Sequence, residues 1–554
     1  MPMGESFVSP AVLIAGGPGR FPRQVERLLG QLGFTEVANI DGSGDGGGDI
    51  LARLNGQDWV FQCKWRGKGT MSRAGVDEVN AAIDFYRSDR AAVVTNVKPG
   101  PDAIQRARQL ARIGRKIDFW TGADLLELYE AADTRQALRL REYQATAISK
   151  LLADLGKTRR ALLILATGLG KTVIGGEVIA HHLAEQPSLD VLVVAHTKDL
   201  VNQLERALWR HLPKAVKTQM LTGDEKPRDL RGVTCATVAS ALNAALNGYQ
   251  PGLVMVDETH HVGEDGLYDK LLAELSAARQ FGVTATPWRG DKYDIERHFG
   301  LASFKLGIEE GMRRSYLSRV DYRLFVDNVD WDVVRDASKR SYSLKELNSK
   351  LFLPQRDEAV RDELTVAWAE TRDPRAIVFC QTIEHAERMA ELLRQSPEWR
   401  DTCAVHAGLN KRERQLRLLE FRAGHVPILT AVDILSEGVD VPDCNLIAFA
   451  RVTHSRRIFV QQLGRGLRLR EGKEKLLALD FVSDLRRVAA LLNIRRTLEA
   501  EVIEVLPEVP QPSITFSDLR VESLLEQWIL DAADLETSND EARLQFLDPY
   551  VTPT

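Results

Sequence analysis

Cysteine is scarce and scattered in this chain of 554 residues: five in all, at positions 63, 235, 380, 403 and 444, with no C-x-x-C pair among them. That number and spacing argue against a disulfide scaffold, a zinc ribbon and a cysteine-held iron–sulfur cluster. Small buried side chains are the reading left for them. Long apolar runs are also missing. The short run from Ala11 to Ala15 has no basic segment before it and no cleavage-like site after it. No stretch approaches the roughly 20 apolar residues of a membrane helix. A cytoplasmic protein without membrane contact is therefore expected. Positive charge is lacking too: the net charge is −5 and the pI about 6.2. The chain as a whole does not attract a polyanion, so any phosphate contact must come from local basic surfaces. The C-terminus accounts for much of this. From Glu501 onward there are twelve acidic residues and two arginines, Arg520 and Arg543, and the body before that tail is net basic.

What is present is an ordinary globular composition, 44% hydrophobic and 27% charged, over a length that suggests roughly three to four folding units. Up to about residue 130 the texture is mixed. A helix-like stretch from Pro22 to Leu32 has Val25, Leu28, Leu29 and Leu32 on one face. Strand-like runs at 36–40, 49–54 and 59–64 follow, interrupted by the loop GSGDGGGD. Alternating helices and strands continue to Tyr129. From Leu138 the pattern changes to apolar strands alternating with amphipathic helices: LLILAT, DVLVVAHT, GLVMVDE and FGVTAT, then AIVFC, CAVHAG, PILTAV, LIAFA and LLALDFV. Unbroken Val/Ile/Leu runs suit strands buried on both faces of a parallel sheet, so two doubly wound α/β domains are expected, joined near residues 310–325. The tail holds one amphipathic helix candidate, 521–536, with Leu524, Leu525, Trp528 and Ile529 clustered. Packing on the second α/β domain is its simplest reading, and docking of a protein partner or DNA mimicry the other.

A nucleotide site is readable in the segment Ala166-Thr-Gly-Leu-Gly-Lys-Thr172, which follows a strand and opens a helix. Thr167, Gly168 and Gly170 let backbone N–H groups approach phosphates at a helix N-terminus. Lys171 supplies a point charge for the β/γ phosphates, and Thr172 a hydroxyl for Mg²⁺. Leu165 stands where the full GxxxxGK[ST] pattern has its first glycine. A second strand ends in Asp257 and Glu258. Asp257 can hold Mg²⁺ through water, and Glu258 can orient and deprotonate an attacking water. Standing alone, that pair would read as a solvated acidic turn.

With these residues the chain resembles the superfamily 2 helicases over about 138–485. Leu140-Arg-Glu-Tyr-Gln144 is similar to the family's adenine-reading segment, Ala195-His-Thr-Lys-Asp-Leu200 to its first DNA-contacting motif, and Thr284-Ala-Thr-Pro287 to the motif coupling hydrolysis to strand movement. Glu437-Gly-Val-Asp-Val-Pro442 and Gln461-Gln-Leu-Gly-Arg-Gly-Leu-Arg468 match the last two motifs. The resemblance implies nucleotide contacts at Gln144, Gly438 and Asp440, and catalytic roles for Gln461, Arg465 and Arg468. Arginines given by the second domain would reach the phosphates only when the cleft closes. It also implies a coupling contact for His260. Basic residues such as Arg451, Arg456, Arg457, Arg470 and Lys473 read as solvated surface or as the wall of a strand channel.

In the N-terminal unit, Asp49 is followed after twelve residues by Gln62-Cys-Lys64. Two strands joined by a short turn would bring these groups to one edge, with Asp49 and Gln62 on Mg²⁺ and Lys64 stabilising a phosphorane or activating water. Glu26 on the first helix is a further candidate for the same metal. From spacing alone, an acidic strand end and an unrelated lysine fit as well. The stretch 21–130 resembles the Mrr-type restriction endonucleases of the PD-(D/E)xK fold, on QVERLLGQLGF, GGGDI, VFQCKW, AAVVTN and DAIQRARQLA. The resemblance implies an active nuclease with Q-x-K in place of E-x-K.

The expected organisation is an Mrr-like domain at 1–130, an ATP-binding RecA-like domain at 138–316, a second RecA-like domain at 317–498 and the acidic tail at 499–554. The expected function is ATP-driven DNA translocation or unwinding fused to Mg²⁺-dependent DNA cutting, in defence or repair, with RNA left open as a substrate. An oligomer through the nuclease domain is a further expectation. Two rivals stand: a remodelling ATPase whose N-terminal domain only binds DNA, and a nucleic-acid-sensing ATPase subunit of a larger complex.

Overall fold

The computed structural model describes residues 8–40, 47–132, 139–186, 189–227, 229–263, 266–285, 295–325, 342–343, 357–432, 444–450, 475–481, 514–516 and 543–544. Gly438, Asp440, Gln461, Arg465, Arg468, the five basic residues named with them and the tail helix lie outside the described residues.

The N-terminal domain is a five-stranded sheet in the order β1 (Thr35–Asn39), β2 (Ile50–Leu54), β3 (Gln57–Lys64), β4 (Arg90–Thr95), β5 (Ile117–Trp120). The first three strands form an antiparallel meander and the last three run parallel. Helices α1 (Pro10–Ala15), α2 (Gly17–Gln31), α3 (Ala74–Tyr86), α4 (Pro101–Ala111) and α5 (Gly122–Ala131) cover it. Alternation along β3 sorts its side chains between two apolar layers. Trp59 and Phe61 meet Phe34, Trp120 and the α2 residues Val25, Leu28 and Leu29 on one face. Val60 meets Val76 and Val79 of α3 on the other. The sequence reading missed α1. Its signal is short but sound: Ser9 caps the helix by accepting from Val12 N at 3.2 Å, and Pro10 occupies the first turn.

The first α/β domain is a seven-stranded, all-parallel sheet in the order β12 (Phe304–Leu306), β6 (Arg160–Leu165), β11 (Arg279–Thr284), β10 (Leu253–Asp257), β7 (Val191–Ala195), β9 (Val233–Thr237), β8 (Thr218–Leu221). Helices α6 (Glu142–Lys157), α7 (Lys171–Glu185), α8 (Lys198–Trp209), α9 (Val238–Leu246), α10 (Leu267–Glu274), α11 (Glu296–Phe299) and α12 (Ile308–Arg313) accompany it. Chain order reverses between β6 and β7, which lie on opposite sides of the β11–β10 pair. Ligands of such sheets bind outside the strand carboxyl ends at that reversal.

The second α/β domain repeats the plan in the order β16 (Cys403–Val405), β17 (Ile428–Ala431), β15 (Ala376–Cys380), β18 (Leu446–Ala450), β19 (Lys475–Asp480), β13 (Arg319–Leu324), β20 (Ile514–Phe516). All of its pairings are parallel. Helices α13 (Asp357–Glu370), α14 (Ile383–Arg394) and α15 (Lys411–Ala423) flank it, and β14 (Tyr342–Ser343) pairs with β21 (Arg543–Leu544). The architecture is thus a restriction-endonuclease-like α/β domain followed by two RecA-like parallel-sheet domains. Among the described residues no helix is long and apolar enough to cross a membrane.

Candidate active sites

The phosphate loop joins β6 to α7 at the carboxyl edge of the first parallel sheet. Gly168 and Gly170 take φ values of +90° and +88°. The left-handed turn at Gly170 aims the first free N–H groups of α7 outward, where they suit an anion. The loop is braced from behind. Tyr143 Oη donates to Leu169 O at 2.7 Å and Gln144 Nε2 donates to the same oxygen at 3.2 Å. Gln144 Oε1 accepts from Arg141 N at 2.9 Å. The buried Gln144 amide, expected to read a base, therefore supports the loop in this arrangement. Thr167 and Thr172 are half-buried in the loop and in the first turn of α7.

Across the reversal, β10 delivers Asp257 and Glu258. Lys171 Nζ donates to Glu258 Oε1 at 2.7 Å, and the two side chains are only 14% and 15% exposed. Glu258 sits at φ +49°, a left-handed conformation unusual for a side-chain-bearing residue and one that marks sites where geometry is imposed. Burial, with the Glu258 carboxylate beside it, pushes the Asp257 carboxyl up to about 7, while Lys171 and His196 pull it the other way. A buried carboxylate short of positive charge is the partner a cation needs. The sign of the linkage follows. The folded carboxyl holds its proton to higher pH than an unfolded aspartate near 3.9, so nucleotide-free stability falls as pH rises between about 4 and 7. Asp257→Asn is expected to flatten that fall and raise the melting temperature at pH 8. Thermal unfolding at pH 5 and pH 8 without nucleotide checks it, and an unchanged slope would remove Asp257 as its source.

The sequence reading missed a contact behind this pair. The rings of His196 and His261 lie 3.9 Å apart, centroid to centroid. This stack ties the segment after β7, similar to the first DNA-contacting motif, to the turn after Asp257. Nothing in the spacing of two histidines 65 positions apart announces it. Thr284 is fully buried at the end of β11, whereas Thr286 and Pro287 lie outside the described residues.

In the N-terminal domain, Asp49 leads into β2. Its N–H donates to Phe61 O at 2.8 Å, which sets its side chain beside Gln62. Asp49 Oδ2 accepts from Gln62 Nε2 at 2.9 Å and from Cys63 N at 2.6 Å. Asp49 and Gln62 are 5% and 3% exposed. Gln62 Oε1 is buried with no hydrogen-bond partner. Lys64, two residues along the same face of β3, forms an ion pair with Glu78 of α3. Glu78 is the second residue the sequence reading missed, because no pattern links a helix glutamate to a strand lysine fourteen positions before it. Gly47 fixes the approach of the glycine loop to α3: its φ is +87°, and a Cβ there would collide with Glu78 O. Gly47→Ala is therefore expected to push α3 off the sheet. Faster amide exchange across residues 74–86 is the readout, and unchanged exchange would show that the loop yields instead.

Glu26, expected to share a metal with Asp49, is not among the residues brought together here. Helix α2 covers the Trp59/Phe61 face of the sheet, while Gln62 and Lys64 alternate onto the α3 face. With Val25, Leu28 and Leu29 turned inward, Glu26 points away from the sheet and pairs with Arg206 of α8 at 2.5 Å. Among the described residues there is no cluster of three or more His, Cys, Asp or Glu able to hold a metal.

Three family matches follow these domains. Residues 15–129 match the Mrr-type catalytic domain described as a restriction endonuclease, and residues 137–289 match the Type III restriction enzyme res subunit. Residues 355–470 match the helicase conserved C-terminal domain. The chain thus joins a restriction-endonuclease family domain to a restriction-enzyme res-subunit domain and a helicase C-terminal domain. The chain is 32% identical over 384 residues to irc3 of Schizosaccharomyces pombe, which bears the name of a putative mitochondrial ATP-dependent helicase; the match covers 66% of this chain and 60% of irc3. It is 27% identical over 409 residues to the Type I restriction enzyme EcoAI endonuclease subunit of Escherichia coli, covering 67% of this chain and 50% of that subunit. The chain thus spans only about half to three fifths of the length of these relatives. Its fold resembles the ATP-dependent Type ISP restriction-modification enzyme LlaBIII bound to DNA, with a TM-score of 0.55 at 17% identity over 96% of this chain and 43% of that one.

Proposed function

We propose that the chain is an ATP-driven DNA translocase or helicase tethered to a Mg²⁺-dependent DNA endonuclease, working in restriction and anti-phage defence or in DNA repair. The observation that carries the reading is the Lys171–Glu258 pair, in which a phosphate-loop lysine and the glutamate that follows β10 hold each other at 2.7 Å in a nearly buried cleft. An incoming triphosphate offers Lys171 a stronger set of acceptors. Glu258 is then released to hold an attacking water and take its proton. Backbone N–H groups at Gly168–Thr172 cradle the phosphates, with Tyr143 and Gln144 bracing the loop. Gly438, Asp440, Gln461, Arg465 and Arg468 are proposed to close over the nucleotide from the second domain, the arginines balancing charge on the transferred phosphoryl group.

Mg²⁺ fits both sites, through Thr172 and the buried Asp257 in one and through Asp49 and the unpartnered Gln62 Oε1 in the other. Bound there, it supplies charge neutralisation and polarises phosphate oxygens. In the nuclease site Asp49 and Gln62 orient the scissile phosphate's surroundings, and Lys64 offers a cation to the developing phosphorane once Glu78 lets it go.

DNA is the proposed partner. The acidic tail is the proposed contact for a protein partner, and the nuclease domain for any oligomer. The deciding experiment incubates the full chain with supercoiled plasmid or RNA in Mg²⁺, with and without ATP. DNA-stimulated ATP turnover together with nicked or linear plasmid is expected. No turnover on any nucleic acid would remove the motor; turnover without cutting would favour the remodelling ATPase.

A further inference from the structure

Helix α2 presents Arg23, Glu26 and Arg27 at i, i+3 and i+4, which places them on one face. That face is turned to the first helicase domain. Arg23 forms an ion pair with Glu205 of α8, and a second with Glu225 at 2.9 Å. Glu26 meets Arg206 Nε at 2.5 Å. Arg27 donates to Val216 O at 2.6 Å and to Thr218 Oγ1 at 3.4 Å, at the start of β8. Glu26, Arg27 and Glu205 are 2%, 3% and 1% exposed. A second point of attachment stands apart from the first. Lys214 Nζ donates to Tyr129 O at 2.8 Å and Ala132 O at 3.1 Å, capping the carbonyl end of α5, and lies over the Tyr129 ring at 4.7 Å.

Exposed ion pairs hold little together, but charges this buried are strongly penalised when a partner is removed. The two sides are complementary: Arg23 of α2 faces two glutamates of the helicase domain, Arg27 meets a carbonyl and a hydroxyl there, and the one glutamate of α2 faces an arginine. We infer that this face of α2 is an interdomain dock that clamps the nuclease domain to the first helicase domain, and that Glu26 is a positioning residue of the dock and not a metal ligand.

The dock is continuous with the segment similar to the DNA-contacting motif. Helix α8, which carries Glu205 and Arg206, begins at Thr197 and Lys198. Lys198 pairs with Asp224 at 2.6 Å, and Asp224 and Glu225 are both held by Thr222 Oγ1. Glu225 in turn holds Arg23. A strand gripped at Lys198 therefore bears on the same loop that anchors the nuclease, so the nuclease domain travels with the first helicase domain as one body.

The test uses the full chain and two readouts that need no cleavage. Amide exchange across residues 17–31 is measured in the wild type, Arg206→Gln and Arg206→Lys, with ATP turnover as the check that the helicase domain is folded. Arg206→Gln is expected to speed exchange at least tenfold, and Arg206→Lys to recover most of the loss. Mn²⁺ affinity is then titrated in Glu26→Gln and Asp49→Asn. Glu26→Gln is expected to stay within twofold of the wild type, while Asp49→Asn weakens binding at least tenfold. Unchanged exchange in Arg206→Gln, no recovery with lysine, or loss of Mn²⁺ binding in Glu26→Gln equal to that in Asp49→Asn would each overturn the inference. If Arg206→Gln fails to fold, Arg23→Gln serves in the exchange arm, with the same acceleration expected. The inference does not depend on nuclease activity, so a chain that docks but does not cut would leave it standing.

Discussion

Lys171→Ala is expected to lower DNA-stimulated ATP turnover by at least about 100-fold, the usual cost of taking one preorganised charge from a transferring phosphoryl group. The described cations nearest in chain order, Lys157, Arg159 and Arg160, lie at the opposite end of β6 from the phosphate loop. Glu258→Gln should cost a comparable factor by a different route. It keeps the shape of the cleft but removes the base, so nucleotide binding survives while turnover falls. Measuring both constants separates the two: Lys171→Ala should weaken ATP binding and turnover, Glu258→Gln turnover alone. Turnover within threefold of the wild type in Lys171→Ala would end the motor reading. The same variants on supercoiled plasmid report on coupling. Cutting that persists in Lys171→Ala means the nuclease runs without the motor, and cutting that stops means ATP licenses it.

Asp49→Ala is expected to abolish DNA cutting in Mg²⁺, by about 10³-fold or more, while DNA-stimulated ATP turnover stays as it was. The carboxylate is the hub of the N-terminal site: it accepts from Gln62 Nε2 and from Cys63 N, and it lies beside the open Gln62 Oε1. Its loss removes a cation ligand and unties the glutamine that would serve as the other. Asp49→Asn separates these effects, since the amide still accepts those hydrogen bonds but carries no charge. Cutting retained in both variants would remove Asp49 from the cutting site. A gel of plasmid products beside an ATPase assay on the same preparation decides it.

Much of the architecture was legible because burial on two faces leaves a plain trace. LLILA, VLVVA and LVMVD could only be strands of a covered parallel sheet, and all three are. β8 and β9 were not legible for the opposite reason. TQML is half-buried along its length, and VTCAT hides a threonine, Thr234, that is tolerable inside only because its hydroxyl accepts from Gln219 Nε2 and donates to Leu230 O. Hydropathy registers the hydroxyl and not its partners. The candidate sites divide along the same line. Lys171, Asp257 and Glu258 stand where backbone geometry at strand ends must put them. Asp49 and Gln62 face each other because two antiparallel strands in register leave no other option. The direction of Glu26 was not legible because a helix glutamate carries no mark of which way it faces. Only the apolar side of α2, read together with the face of β3 it covers, shows that it turns toward Arg206.

The position of β13 has a consequence for making and trimming the protein. This strand comes first in the second helicase domain, yet it lies between β19 and β20, both contributed by chain more than 150 residues later. A polypeptide cut at residue 470, where the helicase family match stops, would present Arg319–Leu324 with bare N–H and C=O groups along both edges. Open strand edges of that kind recruit one another. Such a fragment should aggregate even though every family motif is present, and a nascent chain faces the same exposure until residues 475–516 emerge.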